Sequence, residues 1–275
     1  MIDTRSSTRF LASYDEHLRT DAETAGAVDV VRLGSLLLAT FLHGRGFVTY
    51  RELGTTEPKG TSALVAAVLD HYRADPGITR VEWKTRGHDH APGLHEALTE
   101  HGFLPDASES IMIGAAEALR ADLPLPEGVT LRRVTQERDV QAMSAMQDEV
   151  FGNPVSPGTA EALLSRLSAR DGTELWVAEA DGRIISAGRL EPVDGTCFAG
   201  IWGGTTLAEW RGRGIYRALT ARRARSALDL GRTLIHSDST EYSRPILERS
   251  GLTEVGTTKP YHWQRQEGRT GVGAG

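Results

Sequence analysis

The sequence is nearly without cysteine. Cys197 stands alone among 275 residues, so no disulfide can close within the chain, and such usage fits a reducing compartment. Long apolar runs are missing as well. The most apolar stretch, "LGSLLLATFL" from Leu33 to Leu42, is too short to span a bilayer. The opening "MIDTRSSTRFLASYDEH" is polar throughout and has no hydrophobic leader segment. These absences predict a cytoplasmic protein with no membrane partner. Surplus positive charge is lacking too: 31 Lys and Arg face 37 Asp and Glu, a net charge of −6, with a pI of about 5.9. A surface built to neutralise many phosphates needs the opposite balance, which argues against a nucleic-acid partner.

What is present is the composition of an ordinary globular protein, 39% hydrophobic and 25% charged. The length exceeds the roughly 100 to 200 residues of one domain, so two domains are expected. The boundary is expected at "ADLPLPEGV", where Pro124 and Pro126 remove backbone donors and bias the residues before them toward extended conformation. The resulting division is residues 1–121, a linker at 122–128, a second domain at 129–265 and a disordered tail at 266–275.

In the second half the periodicity predicts a strand over 129–134, helices over 137–150 and 159–169, and strands over 174–180, 183–191 and 197–203. Asp181-Gly182 and Asp194-Gly195 mark the turns. A helix over 215–230 follows, stopped by Gly231, then a short strand from Thr233, a helix over 243–250 and a last strand to Trp263. The first half orders its elements similarly: a helical start, strands near 36–42 and 46–53, a helix over 61–74, a strand over 78–84, a helix over 92–101 and a strand over 109–114. "HEALTEHGF" (95–103) aligns without gaps on "RPILERSGL" (244–252), matching Leu98 to Leu247 and Gly102 to Gly251, which suggests a repeat.

The most informative stretch is "WRGRGIYRAL", Trp210 to Leu219, between a strand and an amphipathic helix. Gly212 and Gly214 permit close approach and unusual backbone angles, and the helix start adds free N–H groups and its positive dipole end. With Arg211, Arg213 and Arg217 around the same point, a pyrophosphate suits the place better than a single carboxylate. A tight turn with solvated arginines is the plain alternative. RNA-binding Arg-Gly segments are repetitive and lead into no helix.

On "TTLAEWRGRGIYRAL" and the order of elements from Val129 to Trp263, the second half resembles the GCN5-related N-acetyltransferase (GNAT) superfamily. The resemblance implies an α/β fold of two tandem GNAT-like domains, each a mixed, mostly antiparallel sheet flanked by helices, the first degenerate. It implies acetyl-CoA as co-substrate and no metal. Backbone amides from Gly212 through Arg213, Gly214, Ile215 and Tyr216 to Arg217 would hold the pyrophosphate, and Gly204, Thr205 and Thr206 would pair with the pantetheine arm. Arg211 takes the family's Arg/Gln place and Gly214 its glycine, while Tyr216 replaces the last small residue and is expected to turn its side chain outward. In the first half, Lys59-Gly60 is the nearest approach to such a loop.

The implied reaction is direct attack of a small-molecule amine on the thioester, which needs a base and an acid. The family's tyrosine acid falls on Leu247, leaving Tyr216 and Tyr242 as nearby phenols. Asp238 and Glu191 are the candidate bases, with His236 on the same strand face as Asp238. An acyl-CoA-binding module without turnover, or a protein N-acetyltransferase, fits the same motif, and either a monomer or a homodimer is compatible with it. Cys197 reads as a small buried residue, His88, His90 and His95 as a polar loop with a helix cap at Asp89 or His90, and "ARRARS" (221–226) as a solvated helix face reaching the cofactor's 3′-phosphate.

Overall fold

The computed structural model describes residues 4–55 and 57–266. The chain divides into two compact units, one of Met1–Ala22 with Ser108–Thr258, the other of Glu23–Ala107 with Lys259–Gly275. In chain order the elements are α1 (Thr4–His17), β1 (Asp29–Leu33), β2 (Leu36–Phe41), β3 (Arg45–Tyr50), α2 (Pro58–Ala74), β4 (Arg80–Arg86), α3 (Leu94–Glu100), β5 (Leu104–Pro105), β6 (Glu109–Ala115) and α4 (Ala116–Leu119). Then come β7 (Val129–Val134), α5 (Glu137–Phe151), α6 (Pro157–Ala169), β8 (Glu174–Ala180), β9 (Arg183–Pro192), β10 (Phe198–Thr206), α7 (Ile215–Asp229), β11 (Leu234–Ser239), α8 (Arg244–Arg249) and β12 (Thr253–Gln264). Strand β1, rich in valine but exposed along most of its length, and the two-residue β5 are elements that the periodicity missed.

The larger unit orders its strands β12, β6, β11, β10, β9, β8, β7; all neighbours are antiparallel except β10 and β11, which run parallel. The smaller orders them β1, β2, β3, β4, β12, with β3 and β4 parallel and β5 paired to β12. Each is therefore the expected mixed, mostly antiparallel sheet.

The division expected near residue 122 is corrected. Strand β6, sixth in the chain, hydrogen-bonds to β11 from Leu234↔Ala115 to Ser239↔Ser110 and so belongs to the larger unit. The segment 122–128 joins α4 to β7 within that same unit. Strand β12 gives Thr253–Thr258 to the larger unit and continues from Lys259 in the smaller. Alternation in a sequence fixes which side chains share a face but says nothing of which distant strand lies alongside, so this exchange was invisible to it. The expected tail lies, from residue 267, outside the described residues.

The repeat between α3 and α8 is physical. Gly102 and Gly251 both take positive φ, +86° and +104°. Phe103 N–H bonds the Leu98 carbonyl at 2.9 Å and Leu252 N–H that of Leu247 at 3.0 Å, the same helix-ending motif twice. The cap of α3 is Gly93, one turn later than Asp89 or His90.

Alternation sorts the larger unit's core into two layers. Leu190, Ala199, Ile201, Ile235 and Leu247 pack on the face that α7 and α8 cover, with Ala224 and Ala227. On the other face Val177, Ile185 and Ala187 pack with Val140, Met143 and Leu163 of α5 and α6. Along that same face Phe198, Ile111 and Ile113 pack with Tyr14 and Leu18 from the α1 segment. Burying each Val, Leu, Ile, Met or Phe side chain among them contributes about 1.5 to 3 kcal/mol. No helix among the described residues is long and apolar enough to cross a membrane.

Candidate active site

Strands β10 and β11 pair over Phe198↔Leu234, Ala199↔Ile235 and Gly200↔His236, and there the ladder ends. Beyond it β10 stays with β9 through Thr205↔Ala187 and Thr206↔Ser186, while β11 stays with β6 to Ser239↔Ser110. The two parallel strands thus part into a fork, and beyond the last rung the edge of β10 facing β11 has no strand partner among the described residues. Ser237 Oγ donates to the Ile201 carbonyl at 3.0 Å across the start of the fork.

A bulge between Trp202 and Thr205 turns the β10 backbone, with Gly203 at φ +59°. Gln147 on α5 holds it there, Nε2 donating to the Gly203 carbonyl at 2.6 Å. Sequence reasoning missed Gln147. The signal was a polar residue on the apolar stripe of its helix, seven after Val140 and four after Met143. Ser186 Oγ donates to the Thr205 carbonyl at 2.6 Å and Arg211 Nε to that of Thr206 at 3.0 Å.

After β10 a single 3₁₀ turn, Ala208–Trp210, leads into the glycine run. Gly212 and Gly214 stand at φ +74° and +79°, and a Cβ built on either meets no atom within 4 Å. Gly214 is the residue before α7, so the first N–H groups of that helix open onto this clear space. Arg213 stacks on Trp210, its guanidinium carbon 4.8 Å from the ring centroid, and Arg217 is exposed on the first turn. Arg211 acts as a strut to the strand end. The loop fits a pyrophosphate.

Two side-chain expectations are corrected here. Tyr216 turns inward, its ring lying on Gly204, where an added Cβ would come within 2.6 Å of it. A residue with no side chain on the strand makes room for the large one on the helix. Arg223 of "ARRARS" is not solvated but 1% exposed, because its position places it on the sheet-facing side of α7; Arg222 lies over the Trp176 ring and Arg225 reaches Asp122.

The candidate bases separate. Asp238, half-buried, lies two residues beyond the last β10–β11 rung, on the face away from α7. His236 shares that face, with its ring edge-on to Trp202 at 5.1 Å and to Phe198 at 5.9 Å. Glu191 is held between Arg189 Nε at 2.5 Å and Arg166 Nη1 at 2.8 Å. Burial alone would lift the Glu191 carboxyl; the two guanidiniums outweigh it and hold it below the ordinary carboxylate range. A carboxylate so held accepts protons poorly. Glu191→Ala is expected to cost about 2 kcal/mol by stranding two cations, measurable in urea melts. Since the folded chain keeps Glu191 ionised to lower pH than the unfolded chain does, its contribution is full above about pH 4.3 and is lost as pH falls through the folded value.

Tyr242 is 80% exposed in the turn before α8, too wet to serve a dry site. Leu247 is 1% exposed and packs with Met112 and Leu252, so the family's tyrosine place is filled by core. Tyr216 is the inward phenol near the fork. Burial raises its hydroxyl above the ordinary phenol range, while Arg223 and Thr220 pull the other way.

In the smaller unit the equivalent parallel pair, β3 and β4, keeps its ladder through Val48↔Trp83. Past it Arg86 Nη1 bonds Thr49 Oγ1 at 3.0 Å, and Glu23 accepts from both residues, closing the fork with a buried ion pair. Helix α2 there begins at Pro58, which lacks an N–H, behind the Glu57 carboxylate. Lys59-Gly60 lies inside that helix and forms no loop.

The family model described as "Acetyltransferase (GNAT) domain" matches residues 126–237, the stretch that carries fork, bulge and glycine loop. These residues are a GNAT domain. Similar folds extend over the whole chain. A GCN5-related N-acetyltransferase from Kribbella flavida is 16% identical with a TM-score of 0.64, covering 97% of this chain and 96% of its own. A functionally unknown conserved protein from Staphylococcus epidermidis is 14% identical with a TM-score of 0.65, covering 90% and 98%. A tandem GNAT protein from the clavulanic acid biosynthesis pathway is 14% identical with a TM-score of 0.58, covering 86% and 82%. At such identities the likeness is one of fold, here that of a tandem GNAT protein. None of the curated proteins matches the sequence.

Proposed function

We propose that the GNAT domain transfers acetyl from acetyl-CoA to the amine of a small molecule by direct attack, in the cytoplasm and without a metal. The observation that carries this reading is the fork between β10 and β11, which leads to the clear space over Gly212 and Gly214. Acetyl-CoA supplies the activated acyl carbon. The amides from Gly212 to Arg217 hold its pyrophosphate, and the free edge of β10 from Gly204 to Thr206 takes its pantetheine arm as an added strand. Asp238 removes one proton from the acceptor's ammonium, the freed amine bonds the acyl carbon as the carbon–sulfur bond breaks, and Tyr216 gives its proton to the sulfur from the α7 side. The second proton, shed by the new amide nitrogen, passes to solvent, from which Tyr216 is reprotonated. Base and acid thus stand on opposite faces of the sheet, with the fork between them.

The smaller unit is the silent partner: its fork is closed by Arg86 and Glu23 and its helix start offers no glycine loop. Calorimetric titration is expected to give one acetyl-CoA per chain; two equivalent sites would overthrow this division of labour. An acyl-CoA-binding module without turnover is the second reading, favoured by the burial of Leu247 where the family's acid stands. Release of free thiol from acetyl-CoA, followed across a panel of small amines, separates the two. Acceptor-dependent release abolished in Asp238→Asn supports the transferase, and saturable binding with no release from any amine supports the module.

A further inference from the structure

Arg223 is among the most deeply buried charges of the larger unit, and no carboxylate forms an ion pair with it among the described residues. Its hydrogen bonds go to neutral oxygens: Nε to the Leu219 carbonyl at 3.3 Å, Nη1 to the Arg189 carbonyl at 3.2 Å and Nη2 to Thr220 Oγ1 at 3.2 Å. Gly188 leaves space for it, since a Cβ there would stand 2.6 Å from Nη1. A buried cation without a counterion is costly unless an anion develops beside it. Tyr216, Thr220 and Arg223, spaced by four and three, share one side of α7, and the Tyr216 ring on Gly204 and the Arg223 guanidinium on Gly188 lie at facing places across the β9–β10 bulge.

We propose that Arg223 is a positioning residue for Tyr216: held in place by Thr220, its guanidinium steadies the phenolate left when Tyr216 gives its proton to the departing sulfur. The inference rests on the transferase reading for its purpose, but the coupling of the three side chains does not. The guanidinium's own proton is held less tightly than usual, at about 10, because burial disfavours the charge, and the phenol opposes that fall. Other groups around α7 are already engaged. From β9 comes the Arg189 guanidinium, bound to Glu191; from β8 comes Glu174, paired with Arg133 and bonded by Ser226 and Trp176; from β11 come the Ser237 and Ser239 hydroxyls. Near Gly204 to Thr206, β10 brings no ionisable side chain.

The test is ultraviolet titration of the tyrosines, with Tyr216→Phe subtracted to isolate the Tyr216 phenol. Arg223→Met, matched in volume and apolar, is expected to move that titration upward by at least one pH unit, a tenfold tighter proton, while Arg223→Lys moves it less. Thr220→Val is expected to shift it in the same direction and serves alone if Arg223→Met does not fold. A Tyr216 titration unmoved in both Arg223→Met and Thr220→Val overturns the proposal. Acetyl-CoA binding, measured on the same proteins, keeps the two readings apart: loss of binding by the wild type sinks the transferase, whereas an unmoved titration sinks only the coupling.

Discussion

Gly214→Trp is expected to weaken acetyl-CoA binding at least about 100-fold, which is about 2.7 kcal/mol. The indole would occupy the clear space over the helix start and displace the pyrophosphate from two or more backbone donors. Charge-assisted hydrogen bonds contribute about 1.5 to 3 kcal/mol each, so losing two accounts for the effect. The fold should survive. No atom stands within 4 Å of a Cβ at Gly214, so the cost is that of holding a side chain at φ +79°, about 1 to 2 kcal/mol. Gly214→Ala carries the same backbone strain without the bulk and should bind far better than the tryptophan variant. Equal affinities for wild type and Gly214→Trp would move the cofactor away from this loop and remove the main support of the functional reading.

The second large effect concerns the proposed base. Asp238→Asn is expected to lower kcat by about 100-fold or more, the scale of a lost general base, with acetyl-CoA affinity kept. Asparagine preserves the shape and removes only the proton acceptor, so a fall in kcat without a fall in binding isolates the chemistry. Glu191→Ala should do the reverse, keeping turnover per folded molecule while losing stability, because its carboxylate is already spent on Arg189 and Arg166. The outcome that reverses these roles is equally plain: full turnover in Asp238→Asn and none in Glu191→Ala.

Much of this was legible in the sequence because local chemistry fixed it. The strand, glycine loop and helix around "WRGRGIYRAL" follow from alternation, from two glycines and from a period of three and four, all short-range. The likeness of 95–103 to 244–252 predicted two matching helix ends, and their hydrogen bonds agree. Glu191 and Asp238 looked alike in sequence, each a carboxylate late in a strand. They differ because Arg166, on a helix far earlier in the chain, folds against one of them, and periodicity does not specify long-range ion pairs.

The sequence by itself determined the composition class, nearly every element of the larger unit and the place of the glycine loop, since these depend on residues close together in the chain. Only the tertiary structure decided the rest: that β6 completes the sheet beside β11, that Tyr216 turns inward onto Gly204, that Arg223 is buried, and that Arg86 and Glu23 close the second fork. Each of these is a meeting of residues far apart in sequence. Whether a polar side chain is solvated or packed depends on what arrives to cover it, and for that the sequence carries no local signal.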